Sequence, residues 1–180
     1  RKFIMVQIPE ETDVKSDARK AGFKTICEIG KERIRRAGSK IKDDSPLTTA
    51  NLDVGFRVLK CDSSNMKDVY YNPAEYEPSL FSRLEDNIKE DRTPEDLLFQ
   101  VMLDLGVLLS SKIEETTISG KKVFNVEDNY LIACFDDNVT DEVITEIAKQ
   151  KPYYFVMRDS SMANDSVATN FEQIFAAYSP

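Results

Sequence analysis

Three aspartates stand at the ends of apolar runs. They are Asp62 in Leu59-Lys60-Cys61-Asp62-Ser63-Ser64, Asp136 in Cys134-Phe135-Asp136-Asp137-Asn138, and Asp159 in Met157-Arg158-Asp159-Ser160-Ser161. If the three runs are parallel and adjacent strands, their carboxylates gather at one sheet edge. Carboxylates grouped in that way can hold a magnesium ion for phosphoryl chemistry. The region would then be a free-standing metal-dependent phosphotransfer or nuclease domain. The plainer reading is that Asp and Ser end strands and bond the backbone of the turn that follows. No lysine or glycine-rich phosphate loop accompanies the aspartates, which favours the plainer reading.

The chain contains no histidine. That excludes a Ser-His-Asp triad, Cys-His catalysis and His-ligated metal sites within it. The cysteines Cys27, Cys61 and Cys134 are odd in number, far apart and without zinc spacing, so they read as reduced core thiols of a cytoplasmic protein.

The elements that would position these groups follow from apolar periodicity. Residues 2–8, Lys-Phe-Ile-Met-Val-Gln-Ile, form a near-continuous apolar run ended by Pro9. Such a run predicts a strand buried on both faces, as in a parallel sheet. The residues after it supply a helix but no partner strand, so residues 2–8 are expected to belong to a sheet whose other strands lie upstream. Thr25-Ile26-Cys27-Glu28 has the form of a capping box and opens a helix running to about Ile41. Its apolar face is Ile26, Ile29, Ile34, Ala37 and Ile41. Lys31, Arg35, Arg36, Lys40 and Lys42 lie mostly around the other side, either as a solvated surface or as part of a positive field near DNA.

Further on, residues 55–61 predict a strand. Pro73-Ala74-Glu75-Tyr76 leads into a helix carrying Leu80, Phe81, Leu84 and Ile88. Thr93-Pro94-Glu95-Asp96 opens another helix, buried by Leu97, Leu98, Val101, Met102 and Leu105 and ended by Gly106. Residues 113–118 and 122–126, joined through Ser119-Gly120, predict a hairpin. Residues 130–135 and 153–157 predict two more strands, separated by a helix that Thr140 caps and that reaches about Lys149. Val167, Phe171, Ile174 and Phe175 mark a C-terminal helix. Strands and helices interleave, so the fold class expected is α/β or α+β with a mixed sheet.

Charge divides the chain. Residues 1–42 hold 12 Lys and Arg against 6 Asp and Glu, a net of +6; residues 43–180 hold 12 against 26, a net of −14. An acidic body repels a polyphosphate, so anything here that lies near DNA lies in the first 42 residues. The change falls at the linker-like Asp43-Asp44-Ser45-Pro46, which predicts one unit over residues 1–44 and an acidic accessory domain over residues 45–180. No apolar stretch approaches the roughly 20 residues that span a bilayer, and no membrane association is expected.

Several stretches resemble the C-terminal part of the modification (methylation) subunit of type III restriction-modification systems, an adenine-specific DNA methyltransferase. They are residues 1–12 (RKFIMVQIPEET), 26–37 (ICEIGKERIRRA), 52–69 (LDVGFRVLKCDSSNMKDV) and 87–112 (NIKEDRTPEDLLFQVMLDLGVLLSSK), with RDSS at 158–161 and NFEQIF at 170–175. The family's D-P-P-Y motif and its glycine-rich F-x-G-x-G cofactor loop do not occur in this chain. The resemblance implies that residue 1 falls just after that loop. Residues 1–44 would then be the strand-helix remnant of a doubly wound methyltransferase sheet.

In such a sheet the cofactor lies over the carboxyl ends of the strands. The resemblance places Gln7 where related methyltransferases often carry an acid that accepts bonds from the S-adenosylmethionine ribose, with Glu10 as the other candidate. It assigns no catalytic residue to this chain. It implies a parent that methylates the exocyclic amine of adenine in DNA, and a segment that alone is inactive and binds S-adenosylmethionine weakly or not at all. The acidic domain is expected to contact a second modification subunit or the restriction subunit, or to act as a structural cap on the sheet.

Overall fold

The computed structural model describes residues 3–67 and 87–178. The Pro73-Ala74-Glu75-Tyr76 segment and the helix expected around Leu80, Phe81 and Leu84 lie outside the described residues. The chain divides into two compact units, Arg1–Cys61 and Asp62–Pro180.

The first unit is built on one long helix. A short turn, α1 (Asp17–Lys20), precedes α2 (Ile26–Asp44), and α3 (Pro46–Thr49) follows. The capping box at the start of α2 forms as its sequence predicts: Thr25 Oγ1 accepts from the Glu28 N–H, and the Glu28 carboxylate accepts from the Thr25 N–H. The chain then turns back so that Val54 packs on Gly38. A Cβ at position 38 would sit 2.9 Å from the Val54 Cβ, so glycine is what permits the approach. Arg35 lies over the Phe56 ring at 5.7 Å.

The strand expected at residues 2–8 does not form over the described residues 3–8. They pair with no neighbouring strand and are exposed, Ile4 and Val6 at 94%. A ladder needs a second backbone to supply N–H and C=O groups, and the first pairing nearby is an isolated bridge between Glu11 and Thr25. Residues 55–61 likewise form no strand, for the same want of a paired backbone. The apolar face of α2 is also uncovered at Ile26 and Ile41, so none of the buried apolar side chains of the described chain belongs to this unit.

The second unit carries the core and bears out the expected α/β class with a mixed sheet. Its helix α4 (Pro94–Asp104) starts at a capping box between Thr93 and Asp96 with proline at its first turn. It ends where Gly106 adopts φ +70°. There the Gly106 N–H donates to the Leu103 carbonyl and the Val107 N–H to the Met102 carbonyl, satisfying two otherwise orphaned acceptors. Strands β1 (Ile113–Ile118), β2 (Lys121–Val126), β3 (Leu131–Cys134) and β4 (Tyr154–Met157) form a sheet in that order. The first two pairings are antiparallel and the last, β3 with β4, is parallel. The hairpin closes through Ser119 and Gly120, both at positive φ, the two-residue turn whose twist matches the flanking strands.

Helix α5 (Asp141–Lys149) connects β3 to β4, and α6 (Asp165–Tyr178) ends the described chain. Thr140 stands at the N-cap of α5 as expected, but its hydroxyl makes no capping bond. The alternation of side chains along β2 and β3 splits the core in two. On one face Leu97, Leu98 and Met102 of α4 pack on Phe124, Val126, Leu131 and Ala133. On the other, Val143, Ile144 and Ile147 of α5 pack on Val123, Ile132 and Cys134. Phe171 and Phe175 of α6 stack on Phe155 there. Strand β3 is therefore buried on both faces, which is why it reads Leu-Ile-Ala-Cys with no polar residue.

Candidate functional site

Gln7 and Glu10 lie in the extended stretch that leads to α2. The Glu10 carbonyl accepts from the Ile26 N–H at 3.0 Å, and the Thr12 N–H donates to the Lys24 carbonyl at 3.0 Å, so this stretch is tied to the entry of the helix. The Cys27 thiol contacts the Gln7 carbonyl at 3.7 Å. The Gln7 side-chain amide donates to the Ile8 carbonyl at 3.0 Å. Both side chains are exposed, and among the described residues the Glu10 carboxylate accepts no side-chain hydrogen bond. It therefore keeps its full acceptor capacity, which is what vicinal hydroxyls require. Glu28 is different: backbone N–H groups of Lys24 and Thr25 hold its carboxyl below the usual range, so its acceptors serve the helix cap.

The three aspartates do not assemble into one cluster. Strands β3 and β4 are parallel neighbours, so Asp136 and Asp159 follow adjacent strand ends as the sequence suggests. Asp62 follows no strand. Two of the local acids are engaged in structural bonds. Asp136 accepts from the Lys122 N–H at 2.7 Å, and Asp62 from the Ser63 N–H at 2.7 Å. Asp62 also approaches Arg92 at 3.9 Å, and Asp137 approaches Arg158 at 3.7 Å. Among the described residues no three His, Cys, Asp or Glu side chains come together where a metal could be held. Asp62 bonds the backbone that directly follows it, as in the plainer reading, whereas Asp136 bonds across to the first residues of β2.

The cysteines are all free, but only Cys134 is a core thiol; burial pushes its pKa up. Cys27 is half-buried and Cys61 is exposed, because residues 55–61 lie on the surface instead of in a strand.

Two clusters in the second unit were not foreseen. Lys122 bridges Glu95 of α4 and Glu115 of β1, at 3.1 Å from the latter, with its ammonium 4.8 Å from the Phe124 ring centre. Its hydrogen bond to Glu95 raises the Lys122 pKa and lowers that of Glu95. The second is a tyrosine cluster: Tyr153 stacks on Tyr130 at 5.4 Å and meets Tyr154 edge-on at 4.8 Å. Asn129 ties its two loops together, donating to the Gln150 carbonyl and accepting from the Tyr153 N–H. The parallel pairing of β3 with β4 brings these loops side by side, and knowledge of that pairing is the signal that would have found the cluster.

No family model matches the chain. Among curated proteins it is similar to the type III restriction-modification enzyme EcoP15I Mod subunit of Escherichia coli. The two are 31% identical over 175 residues, 94% of this chain and 24% of that protein. It is also similar to the StyLTI Mod subunit of Salmonella typhimurium, 42% identical over 57 residues, 32% of this chain and 8% of that protein. The chain spans about a quarter of the length of the first relative. The resemblance read from the residues holds along nearly the whole chain.

Proposed function

We propose, from the similarity of this chain to type III restriction-modification Mod subunits, that it is a segment of such a subunit, one that methylates the exocyclic amine of adenine in DNA. The observation that carries this reading is alignment over 94% of the chain, which reaches into both units. An enzyme acting on that amine extrudes the base from the duplex into a pocket, so its DNA-reading and base-holding parts must be fixed relative to one another.

S-adenosylmethionine supplies the methyl group. Glu10, exposed and with unused acceptor capacity, suits a pair of ribose hydroxyls; Gln7, with its amide oxygen free of the bond to Ile8, suits a second contact. Residues 3–8 would be held in a sheet completed by the longer polypeptide, which would cover Ile4 and Val6 and aim the following turn at the cofactor. Residues 1–44 then belong to the methyltransferase domain. Residues 45–180 form an acidic domain for assembly with a second modification subunit or the restriction subunit, its acidity disfavouring DNA itself. The protein works in the cytoplasm, and no described helix is long and apolar enough to cross a membrane.

Transfer of tritiated methyl groups from S-adenosylmethionine to duplex DNA tests the reading. The longer polypeptide encoding this segment should label DNA, and the 180-residue chain alone should not. Label incorporated by the 180-residue chain, or none by the longer polypeptide, would overturn it.

A further inference from the structure

Strand β1 stands at one end of the sheet and, among the described residues, pairs with β2 alone. Which of its backbone groups are free follows from the hairpin. Ile118 and Lys121 flank the two-residue turn, and an antiparallel ladder alternates between residues that exchange backbone bonds and residues that do not. The Glu127 N–H, which donates to the Lys112 carbonyl at 3.1 Å, fixes the phase of that alternation. Glu114, Thr116 and Ile118 therefore turn their N–H and C=O groups toward β2. Ile113, Glu115 and Thr117 turn theirs outward, and residues 114–117 are all exposed.

An open edge of this kind is a template for another strand. The side chains along it decide which strand fits. A second β1, running antiparallel across a two-fold axis, meets the first with the outward groups of each facing the other. Centred on Glu114 or Glu115, such a pair sets like charges directly opposite, which is destabilising. Centred on Ile113, Thr117 or Ile118, it leaves half of the strand or more without partners. Centred on Thr116, it sets Thr116 against Thr116, Glu115 against Thr117 and Glu114 against Ile118. No carboxylate then stands directly opposite another. Each Glu115–Thr117 pair exchanges both backbone bonds, and Lys122 at 3.1 Å already offsets the Glu115 charge.

Net charge also favours this edge. The second unit holds 10 Lys and Arg against 23 Asp and Glu, a net of −13, yet residues 112–126 hold 3 Lys against 2 Glu, a net of +1. Glu95, Glu127, Asp136 and Glu142 bond to the hairpin from neighbouring segments and bring its surroundings to −3. Two copies can meet here with most of the unit's negative charge elsewhere. We propose that β1 pairs with β1 of a second copy of this chain, antiparallel about a two-fold axis at Thr116, joining two four-stranded sheets into one. The pairing rests on the assembly role proposed above for residues 45–180 and names the surface that performs it.

The test is sedimentation equilibrium of the whole 180-residue chain and of two variants at the axis. Thr116→Lys sets ammonium against ammonium, and Thr116→Glu sets carboxylate against carboxylate. Each variant alone should dimerise about tenfold or more weakly than wild type. An equimolar mixture of the two should regain the dimer, because lysine then faces glutamate. Thr116 is exposed, so circular dichroism of each variant should match wild type. The pairing is overturned if either variant dimerises like wild type, or if the mixture does no better than its components. It is equally overturned if the wild-type chain stays monomeric at about 100 µM. A dimer kept by both variants removes β1 as the surface and leaves the assembly role standing. A wild-type chain that neither dimerises nor binds the restriction subunit overturns both.

Discussion

Lys122 and Glu95 join the hairpin to α4, and their pairing has a pH signature. The Lys122 hydrogen bond holds the Glu95 carboxyl below its usual range, so its stabilising contribution is present above the ordinary value near 4.5 and is lost as the pH falls through the depressed one. At the other end, the raised Lys122 pKa means that its share persists until the pH climbs past that raised value. Both side chains are more than a third exposed, so screening limits the pair to under about 1 kcal/mol. Urea denaturation of Glu95→Gln should show a loss of that size near neutral pH, and the loss should shrink as the pH falls below the ordinary value near 4.5. A difference that persists in acid would contradict the pairing. Neither residue was legible as a partner from the sequence, because the contact depends on strand register and on where α4 docks. The capping residues Thr25, Glu28, Thr93 and Asp96 were legible, because each cap closes within four residues.

At the scale of elements, local chemistry is legible except at Thr140, whose hydroxyl makes no capping bond, and long-range pairing is legible only in part. The turn at Ser119-Gly120, the glycine stop of α4 and the amphipathic α5 each depend on neighbours in sequence. Residues 2–8 have the composition of a doubly buried strand, but a strand exists only with a partner, and none pairs with the described residues 3–8. The tyrosine cluster escaped notice for the related reason that Tyr130 and Tyr153 meet only once β3 and β4 pair. The hairpin turn offers a sharp check on what was legible. Gly120 has φ +81°, and a Cβ there meets nothing within 4 Å, so substitution should cost only the backbone term. Gly120→Ala should lower stability by about 1 kcal/mol in thermal melts, with Gly120→Asn costing less. A neutral alanine variant would show that this turn does not set the register.

Across the whole molecule, apolar burial and charge are both unevenly shared. Every buried apolar side chain of the described residues falls between positions 97 and 167, on the two faces of one sheet. The first unit carries instead the positive charge, the exposed residues 3–8 and the loop bearing Gln7 and Glu10. The sequence revealed the charge division and the α/β class, since both are properties of composition and periodicity. Charge changes near position 44, where α2 ends, while the two compact units meet after Cys61, because the chain folds back on α2 once it has ended.

Adenine methylation by the longer polypeptide is a proposal, and the identity of the modified base tests it most directly. Duplex DNA incubated with that polypeptide and S-adenosylmethionine should yield N6-methyladenine on nucleoside mass spectrometry. Methylated cytosine in its place, or unmodified DNA, would contradict it.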